Sequence, residues 1–292
     1  MSNSKSSKWI QQAYFLGPVV VVYIFVICIP FFLGLYYSFT DWNGISTKVN
    51  LVGLKNYLIV FSDPNFGKAF LFTAKFTFTA VILCNVVGFF LAYLLTMPLK
   101  SRGWLRTTFF MPNVIGGVLL GFVWQFIFLQ SFPAIGTLTD IGFFNMPWLG
   151  TEATAFWALI IVGIWQTSGY LMIIYIAGIS SISSELIEAA KIDGAKGWQV
   201  LRHIILPLTM PAFTICIFVS TLWATKSFDL NFALTQGGPF GSTTPVAMDI
   251  YFEAFMNNRY EIGTAKAFVF FLIVATLSII QVSITKKKEV EM

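Results

Sequence analysis

Long apolar stretches constrain the fold of this chain more than any other feature of its sequence. A helix needs about 20 predominantly apolar residues to cross the hydrocarbon core of a bilayer, and six windows in the sequence meet this requirement. The alternating polarity of a membrane barrel strand is absent, so helices must satisfy the backbone in lipid. The sequence therefore predicts an all-α polytopic membrane protein with about six transmembrane helices, at residues 14–38, 72–97, 107–130, 154–179, 209–228 and 265–284.

The overall composition agrees with a membrane protein. Hydrophobic residues make up 57% of the chain and charged residues 11%, with a mean hydropathy of +0.78, which lies outside the range of soluble globular domains. The three cysteines each fall inside a predicted span and lack metal-ligand spacing. We therefore expect them to pack inside the helix bundle.

The distribution of lysine and arginine predicts the orientation of the chain. With the N-terminus in the cytoplasm, the inner segments carry eleven of these residues and the outer loops four. This bias places both termini in the cytoplasm by the positive-inside rule. The predicted parts are a cytoplasmic N-terminal segment (1–13), a membrane domain (14–285) and a basic cytoplasmic tail (286–292). Topology alone explains the net charge of +5, so no nucleic-acid partner is implied.

One polar stretch, residues 183–207, lies between the fourth and fifth predicted spans, on the cytoplasmic side. Ser183 and Ser184 are suited to cap a helix. Asp193-Gly194 would end that helix, because glycine supplies the backbone freedom of a tight reversal. A second amphipathic run, with Trp198, Leu201 and Ile205 on one face, is expected to stop at Leu206-Pro207. The stretch predicts a helix, a turn and a second helix.

The spacing within this stretch resembles the "EAA" motif of the permease subunits of bacterial ABC importers. The run 192–195, Ile-Asp-Gly-Ala, is also similar to the sugar-importer branch that contains the maltose and glycerol-phosphate permeases. The resemblance implies a short coupling helix that docks into a cleft on an ATPase subunit. The matching positions are Glu188, Ala189, Ala190, Asp193, Gly194, Ile204, Leu206 and Pro207. The alternative is an ordinary amphipathic connector between spans.

Two loops predicted on the outer side carry further motifs. Residues 52–57 and 61–66 resemble the "VGLxNY…F.DP.F" run that sugar permeases carry before their second span. A later loop resembles the "T.GGP…ST" loop of the same proteins. Its matching positions are Thr235, Gly237, Gly238 and Pro239. The resemblance implies that this loop folds back toward the pore, on the side that faces the substrate-binding protein. An ordinary flexible loop is the alternative.

Polar residues in the fourth and fifth spans are candidates for a substrate pathway. Polar side chains at membrane depth usually face the bundle or a wet cavity, and sugars need amide and hydroxyl partners and aromatic faces. By position relative to the coupling loop, the resemblance assigns the pathway to Gln166, Thr167, Tyr170, Trp223, Ala224 and Ser227. The alternative is that these groups only make hydrogen bonds between helices.

Four charged residues lie within or near the predicted spans. Lys226 and Asp229 are three residues apart, and we expect them to form an ion pair that lowers the cost of both charges. Lys75 and Lys266 lie near span ends, where we expect the side chains to extend toward the headgroups.

The sequence argues against an enzyme. No nucleotide-binding loop is present, because Gly67-Lys68 is followed by Ala69 and lacks the upstream glycine. No nucleophile–base pair or metal cluster is apparent, and the single histidine, His203, lies in the coupling loop. The expected function is that of a permease subunit in an ATP-driven ABC importer, which moves a sugar or oligosaccharide across the bacterial cytoplasmic membrane by alternating access.

This expectation implies several partners and no cofactor in this chain. They are a second permease subunit, expected to be a paralogue that forms a heterodimer, two cytoplasmic ATPase subunits that bind ATP and Mg, an extracytoplasmic sugar-binding protein, and membrane lipid. The main alternative is a stand-alone, ion-coupled sugar carrier that uses Lys226 and Asp229, although the internal repeats usual in such carriers are not found. A purely structural membrane anchor is a third possibility, which the polar faces of spans four and five disfavour.

Overall fold

The structure, a computed structural model, describes residues 5–287, with side chains from Tyr14 onward. This part of the chain is almost entirely helical, as predicted. Its α-helices are α1 (Lys5–Tyr23), α2 (Ile29–Tyr37), α3 (Lys55–Ser62), α4 (Pro64–Thr96), α5 (Arg102–Val114), α6 (Gly117–Phe126), α7 (Phe132–Thr139), α8 (Glu152–Ser180), α9 (Ser184–Ile192), α10 (Gly197–Val200), α11 (Leu206–Leu208), α12 (Met210–Thr225), α13 (Asp229–Leu234), α14 (Val246–Tyr251) and α15 (Tyr260–Lys286). Single π-helical turns occupy Ile24–Cys28, Ile127–Ser131, Leu201–Ile205 and Phe252–Met256.

The number of membrane helices agrees with the prediction. Within the described residues, five helical stretches are long and apolar enough to cross a membrane: Tyr14–Tyr37, Pro64–Thr96, Gly117–Thr139, Glu152–Ser180 and Tyr260–Lys286. A sixth candidate is the pair Gly197–Leu208 and Met210–Thr225, which meet at an angle of 68°. The prediction of about six spans in an all-α membrane protein is confirmed.

The predicted third span, 107–130, has the wrong boundaries. Ile115 and Gly116 have extended backbone, with ψ angles of 127° and 141°, so the chain breaks there between α5 and α6. Pro112 lies in the last turn before this interruption, and Gly116 lies within it. The apolar segment that follows, Gly117–Thr139, is the actual candidate span, and α5 packs against α8 as a separate helix.

The second predicted span also begins earlier than expected. The helix starts at Pro64 rather than near residue 72, because Pro is favoured in the first helical turn, where its missing N–H costs nothing. The structure describes only part of the predicted N-terminal segment (1–13) and of the predicted C-terminal tail (286–292). Helix α1 already begins at Lys5, whereas residues 1–4 and 288–292 lie outside the described part of the chain.

The chain forms two compact units, the first of which contains the residues up to Asp63 together with Ile250–Phe270. No residue in the most apolar window of the first span is buried. Asn56 holds the chain after this span through two hydrogen bonds. Its Nδ2 donates to the carbonyl oxygens of Ser38 and Thr40 at 2.9 and 2.8 Å. Asn56 belongs to the 52–57 motif, so that motif encodes a specific loop fold.

The same unit contains a buried ionic cluster around Lys266. This side chain is fully buried, and its Nζ lies 2.7 Å from Oδ2 of Asp63 and 2.9 Å from Oε2 of Glu253. Arg259 pairs with the other oxygen of Glu253 at 2.9 Å. The prediction that Lys266 extends toward the headgroups is wrong, because two carboxylates inside the protein compensate its charge.

The second unit contains Pro64–Asp249 and Phe271 onward. Helix α8 is its central element, and 67% of its most apolar window is buried. Two hydrophobic clusters lie along this helix. The first includes Phe76, Leu159 and Ala224, and the second includes Leu171, Tyr175 and Cys216. Both clusters combine residues of α4, α8 and α12, so these three helices form the core of the unit.

A polar group inside this core links the same three helices. Asn85 of α4 donates through Nδ2 to the Ser220 hydroxyl of α12 at 2.9 Å, and its Oδ1 accepts from the Tyr175 hydroxyl of α8 at 2.6 Å. The Ser220 hydroxyl in turn donates to the Cys216 carbonyl at 2.7 Å. Because buried polar groups are costly unless they are paired, this triad specifies how the helices align.

Candidate coupling loop and substrate cleft

The polar stretch 183–207 folds as a helix, a turn and a second helical segment, as its sequence predicts. The Ser183 hydroxyl caps α9 by accepting from the Glu185 amide at 3.2 Å. Helix α9 ends at Ile192, and Gly194 has a φ of +82°, which favours glycine. The turn is closed by the Ala195 amide, which donates to the Ala190 carbonyl at 2.9 Å.

The end of this stretch differs from the prediction. Pro207 does not stop the helix, because it sits in the first turn of α11, where a missing N–H is tolerated. The chain bends one residue after Leu208, at the buried Thr209, whose hydroxyl donates to the Ile205 carbonyl at 2.6 Å. The stretch 183–207, the candidate coupling loop, therefore continues directly into α12 through the 68° bend.

The loop has a packed face and an open face. Four of the motif residues are half-buried: Ala190 and Ile204, which pack on the second hydrophobic cluster, and Leu206 and Pro207. In contrast, Glu188, Ala189, Asp193 and Gly194 are exposed. The motif thus divides into residues that anchor the loop and residues that face away from the permease core.

Three exposed apolar side chains on the open face were not singled out from the sequence as exposed. Ile192 is 86% exposed, Trp198 66% and Leu186 50%. The expectation that Trp198 shares the packed face of Ile205 is wrong, because the π-helical turn Leu201–Ile205 changes the angular spacing between them. These three apolar side chains are therefore available for contact with another surface.

A cleft of about 380 Å³ contains half of the predicted substrate-pathway residues. Gln166 of α8 and Trp223 of α12 line it, together with Ser227 from the turn before α13. Gln166 is buried except for its cleft surface, and its Nε2 donates to the Ile115 carbonyl at 3.3 Å, at the break between α5 and α6. An aromatic face, an amide and a hydroxyl therefore meet at one concave site.

The other three predicted pathway residues do not line this cleft. Ala224 is fully buried in the first hydrophobic cluster, and Thr167 is buried within α8. Tyr170 packs against the second cluster. Although Gln166 and Tyr170 lie on similar sides of α8, four residues separate them by about 6 Å along the axis. Tyr170 is therefore one helical turn away from the cleft, half-buried against the second cluster.

The cleft also contains two exposed charges. Lys226 and Asp229 both line it. Contrary to the prediction, no ion pair joins them among the described residues, because they lie on opposite sides of the turn that separates α12 from α13. Neither charge is buried, so neither needs a partner inside the protein.

Glycines bring the walls of the cleft together. A Cβ atom on Gly117 of α6 would lie 2.9 Å from Cβ of Asp229, and one on Gly121 would lie 2.5 Å from Cβ of Ala233. Behind the Trp223 ring, a Cβ on Gly163 of α8 would lie 2.7 Å from the ring. The small-residue spacing of Gly117 and Gly121 is the signal that could have located this contact from the sequence.

The predicted outer loop is an ordered turn connected to the cleft. The Thr243 hydroxyl lies 2.7 Å from the Thr235 hydroxyl and donates to the Gly238 carbonyl at 2.6 Å. Asn231 donates to the Thr243 carbonyl at 3.0 Å, and its Oδ1 accepts from Ser227 at 2.5 Å. A continuous series of hydrogen bonds thus joins the loop to Ser227 in the cleft.

These bonds explain why residues 235–239 are rich in glycine. Gly237 has a φ of +79°, and a Cβ there would lie 2.5 Å from Oγ1 of Thr244. Pro239 follows Gly238 within the same turn. The description as an ordinary flexible loop does not fit this hydrogen-bonded turn. No group of three or more His, Cys, Asp or Glu residues suited to a metal ion occurs in the part of the chain described.

Residues 84–289 match the family of binding-protein-dependent transport system inner membrane components. The chain belongs to this family. It is therefore a multi-pass membrane component of a transport system and not an enzyme. The part of the chain that matches the family model includes the polar triad, the cleft, the candidate coupling loop and the outer loop.

Curated relatives of this permease extend over nearly its whole length. It is 47% identical to the probable starch degradation products transport system permease protein AmyD of Thermoanaerobacterium thermosulfurigenes, over 95% of this chain and 94% of the relative. It is 33% identical to the multiple sugar-binding transport system permease protein MsmF of Streptococcus mutans, over 97% and 98% of the two chains.

The fold of the permease is also found in solved structures. A bacterial ABC transporter involved in the import of the acidic polysaccharide alginate contains a chain that superposes with a TM-score of 0.83 at 19% identity, covering 97% of this chain and 96% of the other. A second structure of a bacterial alginate transporter, in complex with a periplasmic protein bound to an alginate pentasaccharide, gives a TM-score of 0.77 at 19% identity, covering 95% and 94%.

Proposed function

We propose that this permease translocates a sugar or oligosaccharide across the bacterial cytoplasmic membrane, as part of an ATP-driven importer. The observation that carries the proposal is the cleft where Gln166, Trp223 and Ser227 meet, in a chain whose curated relatives are named as sugar transport permeases. An amide and a hydroxyl can exchange hydrogen bonds with sugar hydroxyls, and an indole can stack on a pyranose face.

In this proposal the energy enters through the coupling loop. We infer that the exposed residues Glu188, Ala189, Asp193 and Gly194, together with Ile192, dock against a cytoplasmic ATPase subunit. The packed residues Ala190, Ile204, Leu206 and Pro207 connect that docking surface to the core. Because the loop continues through the bend at Thr209 into α12, displacement of the loop would be transmitted to the helix that carries Trp223.

The proposed assembly contains further subunits. Two ATPase subunits would bind ATP and Mg in the cytoplasm, and a second permease, expected to be a paralogue, would complete the translocation path. An extracytoplasmic sugar-binding protein would deliver the substrate to the side of the outer loop, near Thr235, Gly237, Gly238 and Pro239. This arrangement requires both termini in the cytoplasm, in agreement with the eleven-to-four distribution of Lys and Arg.

Uptake of a labelled oligosaccharide into proteoliposomes, by the complete transporter with its binding protein and internal ATP, tests the proposal. Gly194→Pro disrupts a turn with a φ of +82°, which proline cannot adopt. Ala190→Asp introduces a charge into the packed face of α9. We expect each variant to insert normally in the membrane and to lose uptake.

Ser184→Asp is a matched control for the charge, because Ser184 is exposed in the first turn of the same helix, where negative charge is favourable. This variant should retain uptake. Wild-type uptake by both Gly194→Pro and Ala190→Asp would contradict the coupling role. Uptake that persists without ATP and collapses with an ionophore would instead support the stand-alone carrier.

A further inference from the structure

A second cleft, at the N-terminal ends of α4 and α8, takes no part in the proposed transport path. Its volume is about 610 Å³. It lies at the ends of these helices opposite the basic turn 100–106, so the proposed orientation places it on the outer side. The lining residues used below are Lys68, Lys75, Glu152, Trp157 and Phe240.

The lengths of the two helices set the depth of this cleft in the membrane. Helix α4 has 33 residues and α8 has 29, so each is longer than the roughly 20 residues that cross the hydrocarbon core. When about 20 residues are counted back from Thr96 in α4 and from Ser180 in α8, each count stops shortly before it reaches Lys75 or Trp157. Both side chains therefore lie at headgroup depth, where Trp is typically enriched.

The charges in the cleft have no compensation within the protein. Lys68, Lys75 and Glu152 are exposed, and none of them has an ion-pair partner among the residues described. Two lysines and one carboxylate give the cleft a net charge of about +1. Side chains on a helix tilt toward its N-terminus, so the Lys75 ammonium points outward from the core boundary, toward the level of lipid phosphates.

The remaining lining groups supply apolar and polar contacts. Trp157 is 49% exposed and Phe240 is 99% exposed, and such rings are stable where hydrocarbon meets water. Glu152, at the first residue of α8, lies farther from the membrane core than Lys75 and can accept hydrogen bonds from hydroxyl groups. The set fits a ligand with a phosphate near Lys75 and a polyol beyond it.

We propose that this cleft binds the headgroup of an anionic glycerophospholipid, phosphatidylglycerol of the outer leaflet. The phosphate lies at Lys75 with Lys68 above it, and the glycerol hydroxyls face Glu152. A headgroup with a single negative charge neutralises the cleft, whereas phosphatidylethanolamine, with no net charge, leaves it positive. The proposal depends on the orientation given above but not on the identity of the transported substrate.

Native mass spectrometry of the complete, delipidated transporter, titrated with dioleoyl phosphatidylglycerol in detergent, tests this proposal. Lys75→Gln and Lys68→Gln should each weaken retention of this lipid by about fivefold, the usual contribution of a basic residue near an anionic lipid surface. Lys48→Gln, which removes an exposed lysine from another loop, should have no effect. Dioleoyl phosphatidylethanolamine should bind more weakly and respond less to these changes.

Four results would overturn the proposal. One is unchanged phosphatidylglycerol retention in both cleft variants, and another is equal loss in Lys48→Gln. The third is that Lys75→Gln weakens binding of the sugar-binding protein but not of the lipid, which would make the cleft a protein-docking surface. Competition by inorganic phosphate at equal concentration would likewise reduce the site to a simple anion site. Because the titration uses neither ATP nor sugar, its outcome is independent of any failure in the uptake assay.

Discussion

Removal of the buried Lys266 ammonium should destabilise the permease strongly. Its Nζ lies 2.7 Å from Oδ2 of Asp63 and 2.9 Å from Oε2 of Glu253. The side chain of Lys266 is 0% exposed, that of Asp63 18% and that of Glu253 9%. Lys266→Met keeps most of the side-chain volume but leaves two carboxylates facing each other without their shared cation. Breaking a buried ion pair from one side costs about 3–5 kcal/mol.

Thermal unfolding of the purified transporter, followed by loss of monodisperse protein, measures this cost. Applied to a chain of this size, the loss corresponds to a decrease in the midpoint of roughly 5–15 °C. Lys48→Met removes an exposed lysine and should leave the midpoint unchanged. The double variant Lys266→Met with Glu253→Gln should recover part of the loss, because one of the two stranded charges is gone.

Two outcomes would refute the reasoning. If Lys266→Met unfolds at the wild-type temperature, the cluster contributes nothing, and water or other groups must satisfy the carboxylates equally well. If the double variant is less stable than Lys266→Met alone, the loss does not come from uncompensated negative charge. In that case Glu253 would stabilise the fold mainly through Arg259, with which it pairs at 2.9 Å.

Three further substitutions test the cleft and its surroundings. Gln166→Leu should raise the KM for uptake roughly two- to tenfold, which is the value of one neutral hydrogen bond. Gln125→Leu is the matched control, since Gln125 and Gln166 each donate to a backbone carbonyl at 3.3 Å. It should leave the KM unchanged, because Gln125 lies outside the cleft. Gly121→Ala should lower stability by about 1–3 kcal/mol through its contact with Ala233, while Gly67→Ala, with nothing within 4 Å, should be neutral or stabilising in thermal unfolding. Asn231→Ala removes bonds to Ser227 and Thr243 and should speed amide hydrogen exchange at residues 235–244 by at least tenfold, whereas Asn50→Ala, in the first loop, should leave this segment unchanged.

Much of the fold could be predicted from the sequence because lipid imposes a simple rule on apolar length. The rule reports which residues prefer hydrocarbon, however, and not where a helix begins or ends. Helix α4 extends outward to Pro64 through Lys75 and Lys68, which hydropathy excludes from a span. The break at Ile115 and Gly116 lies inside a continuous apolar run, so only backbone geometry reveals it.

The candidate site was predicted in part, and the errors have a common cause. The resemblance pointed to Gln166, Trp223 and Ser227, which line one cleft, but it did not give the rotation of each side chain about its helix. A rotation of one residue moves a group from the cleft into the core, which is the difference between Gln166 and Thr167. The partners of Lys266 were equally inaccessible, because Asp63 is distant in sequence and no local spacing connects the two.

The close helix contacts limit how this cleft can change its accessibility. Gly117 and Gly121 place α6 against α13, and Gly163 places α8 against Trp223 of α12, at distances where even one added carbon would clash. Packed interfaces of this kind do not deform gradually, so these helices should move together. We infer that the cleft changes sides through motion of this whole helix group against neighbouring subunits. The bend at Thr209, where the coupling loop joins α12, is the place in the described chain where force from the cytoplasm would reach that group.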